Sequence, residues 1–275
     1  MQYRGLGCDM KTAAIILSGG SGKRFGAEIP KQYIEIGGRP VLSYTIEAFE
    51  KSSVDEIVIV AAEAYAQRCR DMTSQRLSGP ASKVKAVITG GKERYDSVLQ
   101  GLRYIMHASD AACVPELVLI HDGARPLIRP ETIDEVIRCT REYGAAIAAT
   151  PCTDTIKIAD QNGNIADTTE RSLTWAAQTP QAFYTREIFR AYEEIIGNRI
   201  NDQTGILKHI TDDAMVFQME FPDRMVHLVN AGAQNFKITA PEDLDRAELL
   251  LRTGEMGEQL QSSSDRQDKE ENYGN

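Results

Sequence analysis

Ala13-Ala14-Ile15-Ile16-Leu17-Ser18-Gly19-Gly20-Ser21-Gly22-Lys23-Arg24-Phe25-Gly26, followed by Pro30-Lys31-Gln32, is the stretch that decides how this chain is read. A short apolar run that fits a buried strand breaks into a loop holding four glycines. Glycines let the backbone come close to an anion and aim successive N–H groups at it. Lys23, Arg24 and Lys31 add charge that amides cannot supply. The loop matches neither phosphate-binding fingerprint. Gly22-Lys23-Arg24 lacks the Gly-Lys-Ser/Thr ending of a P-loop, and the glycine spacing is not that of a dinucleotide fold. On this segment alone, a plain strand-to-helix turn stays open.

Outward from the loop, the chain alternates. Pro40 opens a helix whose Val41, Leu42, Thr45, Ile46 and Phe49 share one face, and Ile57-Val58-Ile59-Val60-Ala61 is the β-branched run of a strand buried on both sides. A helix over 64–76, a strand over 84–89 closed by Gly90-Gly91, and a helix over 93–107 follow. Next come a strand at Leu117-Val118-Leu119-Ile120-His121, a helix over 131–143 and a strand over 145–150. Apolar strands alternating with amphipathic helices predict an α/β fold, a mostly parallel, Rossmann-like sheet with helices on both faces. Right-handed crossovers put the loops after the strands along one edge. That edge gathers Ser18 to Arg24, Gly90-Gly91, and Asp122 to Pro126.

From Thr153 to Phe183 the rhythm changes. Asn162-Gly163 between two alternating segments is a hairpin signal, and no helix is at hand to cover it. We expect a β-arm over about 152–178 that protrudes from the body and is covered by a second copy of the chain. The chain returns through Gln178-Thr179-Pro180-Gln181, a helix over 186–196, a helix capped by Thr211-Asp212-Asp213, a strand over 225–229, a short strand over 235–239 and a last helix from Pro241. One domain over 11–252 is expected, with residues 253–275 a disordered tail of Ser, Gln, Gly and charge.

Composition bounds the function. At 275 residues and 42% hydrophobic content the chain supports a sizeable core, and a net charge of −9 argues against general nucleic-acid or anionic-membrane binding. Any phosphate site must therefore be local. Five cysteines, at 8, 69, 113, 139 and 152, show no Cys-x-x-Cys pairing and read as reduced core thiols. No signal-peptide core or membrane-length apolar run occurs, so a soluble cytoplasmic protein is expected.

Asp122 is the most informative acid, because it ends a buried strand at the edge where the glycine loop lies. Beside a polyphosphate it can hold Mg²⁺, which takes oxygen ligands and keeps several waters. The alternative is that it pairs with Arg125 or caps the next turn. His121 reads as a packed histidine. Arg24, Lys31, Arg171 and Lys237 are ordinary surface charges one by one. Together with one metal-binding acid they suffice for phosphoryl or nucleotidyl transfer, which is driven by positioning and charge stabilisation. No Gly-x-Ser-x-Gly elbow appears, and four histidines are too scattered for zinc.

Seven ordered motifs carry a resemblance. They are Leu17 to Gly26, Pro30-Lys31-Gln32-Tyr33, Gly90-Gly91-Lys92-Glu93-Arg94, His121-Asp122-Gly123-Ala124-Arg125-Pro126, Gln178-Thr179-Pro180-Gln181-Ala182-Phe183, Thr211-Asp212-Asp213-Ala214 and Asn235 to Leu244. Over about 11–252 the chain resembles the 2-C-methyl-D-erythritol 4-phosphate cytidylyltransferases. The resemblance implies a nucleotide-binding α/β domain with a dimerising arm, taking CTP and methylerythritol phosphate to CDP-methylerythritol and pyrophosphate. It implies that Arg24 and Lys31 stabilise the transition state and that Asp122 holds Mg²⁺. Ser18, Gly19, Gly20, Gly91, Ser97 and Gly123 would bind CTP. Arg125, Thr155, Thr179 and Thr211 would line the sugar-phosphate site, where Arg171 and Lys237 position the attacking phosphate; Thr155 and Arg171 would come from the neighbouring subunit. Ser18-Gly19-Gly20 departs from the family's usual Ala-Ala-Gly. Ribitol-5-phosphate cytidylyltransferases more often carry Gly-Gly there, so ribitol phosphate or another polyol phosphate is the alternative acceptor.

Overall fold

Every residue of Thr12–Ser18 (β1) is buried, and its side chains alternate between two separate cores. Ala14 and Ile16 join one, Ala13, Ile15 and Leu17 the other. A strand with no polar face must lie in mid-sheet with helices on both sides, and so it does in this computed structural model, which describes residues 11–19, 29–78, 82–108, 113–197 and 205–253.

After β1 come a 3-10 turn at Lys31–Tyr33, a two-residue ladder of Glu35–Ile36 (β2) with Arg39–Pro40 (β3), and Val41–Lys51 (α1). Glu56–Ala61 (β4), Glu63–Ser78 (α2), Val84–Thr89 (β5), Arg94–Ala108 (α3), Leu117–Asp122 (β6), Pro130–Tyr143 (α4) and Ala145–Pro151 (β7) continue the alternation. The arm holds Lys157–Ala159 (β8) and Ile165–Thr168 (β9). Trp175–Tyr184 (β10), Thr185–Tyr192 (α5), Asp213–Glu220 (α6), His227–Asn230 (β11) and a helix over 241–253 (α7) complete the described chain.

The main sheet has the order β11-β7-β10-β6-β1-β4-β5. β10 alone runs antiparallel to its neighbours β6 and β7; the other pairings are parallel. Apolar positions of α1, α2 and α4 fill one core, and those of α3, α5 and α6 fill the other. Leu17 pairs in register with both Val60 and Asp122, so β1, β4 and β6 end side by side. The α/β, mostly parallel architecture expected from the sequence is the one observed.

Several details differ from expectation. Residues 235–239 are irregular, not a strand: Ile238 N–H donates to the carbonyl of Ala124 rather than entering a ladder. β9 stops at Thr168, so Arg171 stands in a 3-10 turn (Arg171–Leu173). The helix after β10 passes from α5 into a π-helical turn at Glu193–Gly197. Gln178 to Gln181 belong to β10, where the register against β7 shifts between Ala177 and Gln181. Of the four described cysteines, Cys69 and Cys139 are buried, Cys152 is half-buried and Cys113 is exposed, so the core-thiol reading holds for two. The expected tail, apart from Thr253, lies outside the described residues. Among the described residues no helix is long and apolar enough to cross a membrane.

The seating of α3 on β1 depends on Gly101. A methyl group there would come within 2.9 Å of Ile15 Cγ2 and 3.0 Å of its Cδ1. Alanine favours a helix interior over glycine by about 1 kcal/mol, but overpacking a filled core costs about 1–3 kcal/mol. Gly101→Ala is therefore expected to lower the urea midpoint, contrary to its helix propensity; an unchanged or raised midpoint would show that the interface has slack.

Candidate active site

The loop after β6 crosses close over the end of β1. Gly123 N–H donates to Leu17 O at 2.9 Å, and a Cβ on Gly123 would lie 2.8 Å from that same oxygen, so no side chain fits. The crossing fixes Asp122 at the sheet edge. Its backbone N–H donates to Thr179 Oγ1 at 3.0 Å, and the Thr179 hydroxyl also bonds His121 Nδ1 at 3.0 Å. Burial drives the His121 imidazole down to about 3, leaving it neutral and packed near Phe49. His121 is thus packed and hydrogen-bonded, as read from sequence, and the structure adds Thr179 as its partner.

Three cations surround the Asp122 carboxylate. Lys237 Nζ lies 3.0 Å away, Arg94 Nε 3.4 Å and Arg125 Nε 3.6 Å, around a side chain only 10% exposed. Burial alone would raise its proton affinity; Arg94, Lys237 and Arg125 outweigh burial and hold the carboxyl well below the usual range. The alternative pairing with Arg125 is present, as one of three.

Two cavities meet at this cluster, with Arg94, Asp122 and Lys237 as their common wall. One, of about 230 Å³, is lined also by Gly19, Lys31, Gly91 and Ser97. The other, of about 160 Å³, is lined also by Arg125, Thr179, Gln181 and Thr211. Of the expected nucleotide set, Gly19, Gly91 and Ser97 line the first space, and of the expected acceptor set, Arg125, Thr179 and Thr211 line the second; Gly123 lines neither. Ser18 lines neither: its hydroxyl donates to Tyr33 Oη at 2.8 Å, and its carbonyl accepts from Gln32 Nε2 at 2.6 Å. These bonds, made to the two residues that follow Lys31, tie its 3-10 turn to the end of β1. Gly20 and Arg24 lie outside the described residues.

Arg171 and Thr155 are on the arm, both exposed, with Arg171 Nη2 donating to Thr155 Oγ1 at 2.7 Å. Neither lines the two cavities. The chain's own arm does not complete its own site in this arrangement.

Several supporting residues carried no site role in the sequence reading, which gave Asp212 and Asp213 only as part of a helix cap. Asn235 Nδ2 donates to Gln178 Oε1 at 2.8 Å and to Thr179 O at 2.9 Å, while its carbonyl accepts from Arg125 Nη1 at 2.7 Å. The irregular segment holding Lys237 is thereby clamped to β10. Gln181 Oε1 accepts from the backbone N–H groups of Asp213 and Ala214 at the start of α6, and Asp212 caps that helix through Met215 N–H. Arg94 reaches Asp213 with both Nη atoms. The sequence signal was partial: each lies within a quoted motif, but the pairings join motifs far apart in the chain.

A metal would have to be held mainly by Asp122, since no cluster of three or more His, Cys, Asp or Glu capable of holding one occurs among the described residues. A single carboxylate fits an ion that keeps its waters and takes its other oxygens from phosphates, as Mg²⁺ does. It does not fit an all-protein cage.

The model of the 2-C-methyl-D-erythritol 4-phosphate cytidylyltransferase family matches residues 12–253. The chain belongs to this family. A relative of that name from Lachnospira eligens is 40% identical over 240 residues, covering 87% of this chain and 98% of its own. One from Alkaliphilus oremlandii is 38% identical over 248 residues, covering 90% and 98%. Among solved structures, the 4-diphosphocytidyl-2C-methyl-D-erythritol synthase of Anaerococcus prevotii is 30% identical with a TM-score of 0.73, covering 89% of this chain and 97% of that one. In this member of the family, Lys237 depends on the Asn235 clamp. Removing it leaves buried Gln178 and Thr179 oxygens without a donor, a loss of about 1–3 kcal/mol. Asn235→Ala is expected to lower stability by that amount in urea titration; a loss below the error of the measurement would mean the clamp is replaced by water.

Proposed function

We propose that this chain transfers the cytidylyl group of CTP to 2-C-methyl-D-erythritol 4-phosphate, releasing pyrophosphate. The observation that carries this reading is the shared wall of Arg94, Asp122 and Lys237 between two cavities, in a chain of this family. An oxygen of the acceptor phosphate forms a bond to the α-phosphorus of CTP as the bond to the β-phosphate oxygen breaks, and pyrophosphate leaves. Two anions must be brought together, so the protein's task is positive charge and alignment.

CTP takes the larger cavity, against Gly19, Gly91 and Ser97 beside the Gly123 turn, with Ser18 acting indirectly by tying the Lys31 turn to the end of β1. Lys31 and Arg24 neutralise charge that develops on the α-phosphate. The acceptor takes the smaller cavity, between Arg125, Thr179 and Thr211, and Lys237 aims its phosphate across the wall. Asp122 holds the divalent cation, for which Mg²⁺ is our choice; when bound, the ion neutralises phosphate charge and orients the triphosphate.

We infer a homodimer in which the arm of one chain supplies Thr155 and Arg171 to the acceptor cavity of the other. Ile158, Ile165 and Leu173 on the arm are 49%, 67% and 77% exposed, apolar surface that a second copy would cover.

Two measurements test these readings. Pyrophosphate release with CTP is expected to be fast with methylerythritol phosphate and slow with ribitol 5-phosphate; the reverse preference would transfer the assignment to the polyol phosphate alternative. Lys31→Ala and Arg171→Ala proteins are each expected to be nearly inactive, and mixing them with exchange of subunits should restore up to about a quarter of the parent rate, because about half of the dimers are mixed and each mixed dimer has one intact site of two. No recovery in verified mixed dimers would rule out a shared site.

A further inference from the structure

The Asp122 carboxylate is not shared equally. Its Oδ2 takes Lys237 Nζ at 3.0 Å and Arg125 Nε at 3.6 Å, and its Oδ1 takes Arg94 Nε at 3.4 Å. Lys237 ends in one ammonium on a flexible stem that lines both cavities, so it can turn toward a bound phosphate. Arg94 cannot do the same. Its Nη1 and Nη2 donate to the two oxygens of Asp213 at 2.8 and 2.7 Å, and Asp213 is fully buried.

Asp213 is itself fixed. It is the first residue of α6, its backbone N–H donates to Gln181 Oε1 at 3.0 Å, and its Oδ1 also accepts from the buried Tyr192 hydroxyl. A guanidinium held as a fork has a set plane, and here the Nε edge faces Asp122. Swinging that edge toward a ligand would leave a buried carboxylate without its cation, which is strongly unfavourable. The two oxygens of Asp122 thus have different partners: the fixed Arg94 on Oδ1, and on Oδ2 the movable Lys237, with Arg125 farther off at 3.6 Å and held by the Asn235 carbonyl.

We propose that Arg94 is a positioning residue for the transfer reaction, anchoring Asp122 Oδ1 to the buried Asp213 so that substrate phosphates, on drawing Lys237 away, release Oδ2 alone to a divalent cation. The inference rests on the cytidylyl-transfer reading above for its catalytic consequence, and on the geometry alone for its effect on metal binding. Lysine cannot replace Arg94, because one ammonium cannot both span Asp213 and reach Asp122 with a fixed plane.

The test uses the full chain with Mn²⁺ as probe, its binding in the presence of CTP read by electron paramagnetic resonance, beside pyrophosphate release. Arg94→Lys is expected to weaken Mn²⁺ binding and lower kcat, each by about 10- to 100-fold. KM for the acceptor should change by less than about threefold, since ground-state acceptor binding is left in place. Tyr192→Phe loosens the same buried cluster while keeping both Arg94 contacts; it should lower the melting temperature without either loss. If Arg94→Lys does not fold, Asp213→Asn, which keeps the side-chain shape, carries both measurements. Parent-like Mn²⁺ binding and kcat in the altered protein would overturn the proposal. So would losses in all variants that merely follow their melting temperatures, since Arg94 would then be a structural staple. If the unsubstituted chain releases no pyrophosphate with any acceptor, the transfer reading falls, while the Mn²⁺ measurement still decides the role of Arg94.

Discussion

The arrangement turns on keeping one carboxylate charged at the end of a buried strand. Taking Asp122 out of water is costly unless opposite charge is close, and three cations from three separate segments supply it. Each cation must then be held in turn. Arg94 is held by Asp213 at the start of α6, Arg125 by the Asn235 carbonyl, and Lys237 by the clamp that ties residues 235–238 to β10 and to Ala124. The charge of one side chain thereby draws β6, α3, α6, β10 and an irregular segment into one construction. Their joint cost in order is repaid only when all are present.

The same construction explains why the sheet is not wholly parallel. A parallel β10 would run its Gln178 to Gln181 segment the other way along the edge of β6. Running antiparallel between β6 and β7, it brings Thr179 beside the Asp122 backbone and Gln181 under the start of α6. The register shift at this point releases Gln178 to Pro180 from the ladder, so their polar groups serve the site instead of the sheet.

How much of this could be read from sequence follows from the range of the forces. Strands β1, β4 and β6 were legible because a doubly buried strand must be apolar at every position, and the edge holding Asp122 followed from right-handed crossovers. The β8–β9 turn was legible from Asn162-Gly163, although its two strands cover only Lys157–Ala159 and Ile165–Thr168 of the expected 152–178 arm. The strand expected over 235–239 was misread, because a short run ending in Ile238-Thr239 looks the same whether its backbone bonds join a ladder or only Ala124. The Arg94–Asp213 pair, 119 residues apart, left no local mark beyond two charged residues in separate motifs. Ser18 was read as a phosphate-loop residue, and nothing in the sequence tells that its hydroxyl is already engaged with Tyr33. Periodicity reports burial; it does not report which buried polar groups find each other.

The root of the arm has one more implication. Pro151 of β7 pairs with Trp175 of β10, and Cys152 N–H donates to Thr174 O at 2.9 Å, so the excursion leaves and re-enters the sheet through adjacent rungs. Its two ends are stitched together before the hairpin begins. Each chain can therefore complete its sheet and both cores without help from any other, and the arm's length can vary without disturbing Thr179. The arm exchange proposed above would then be a docking of finished bodies, not an interweaving of unfinished ones.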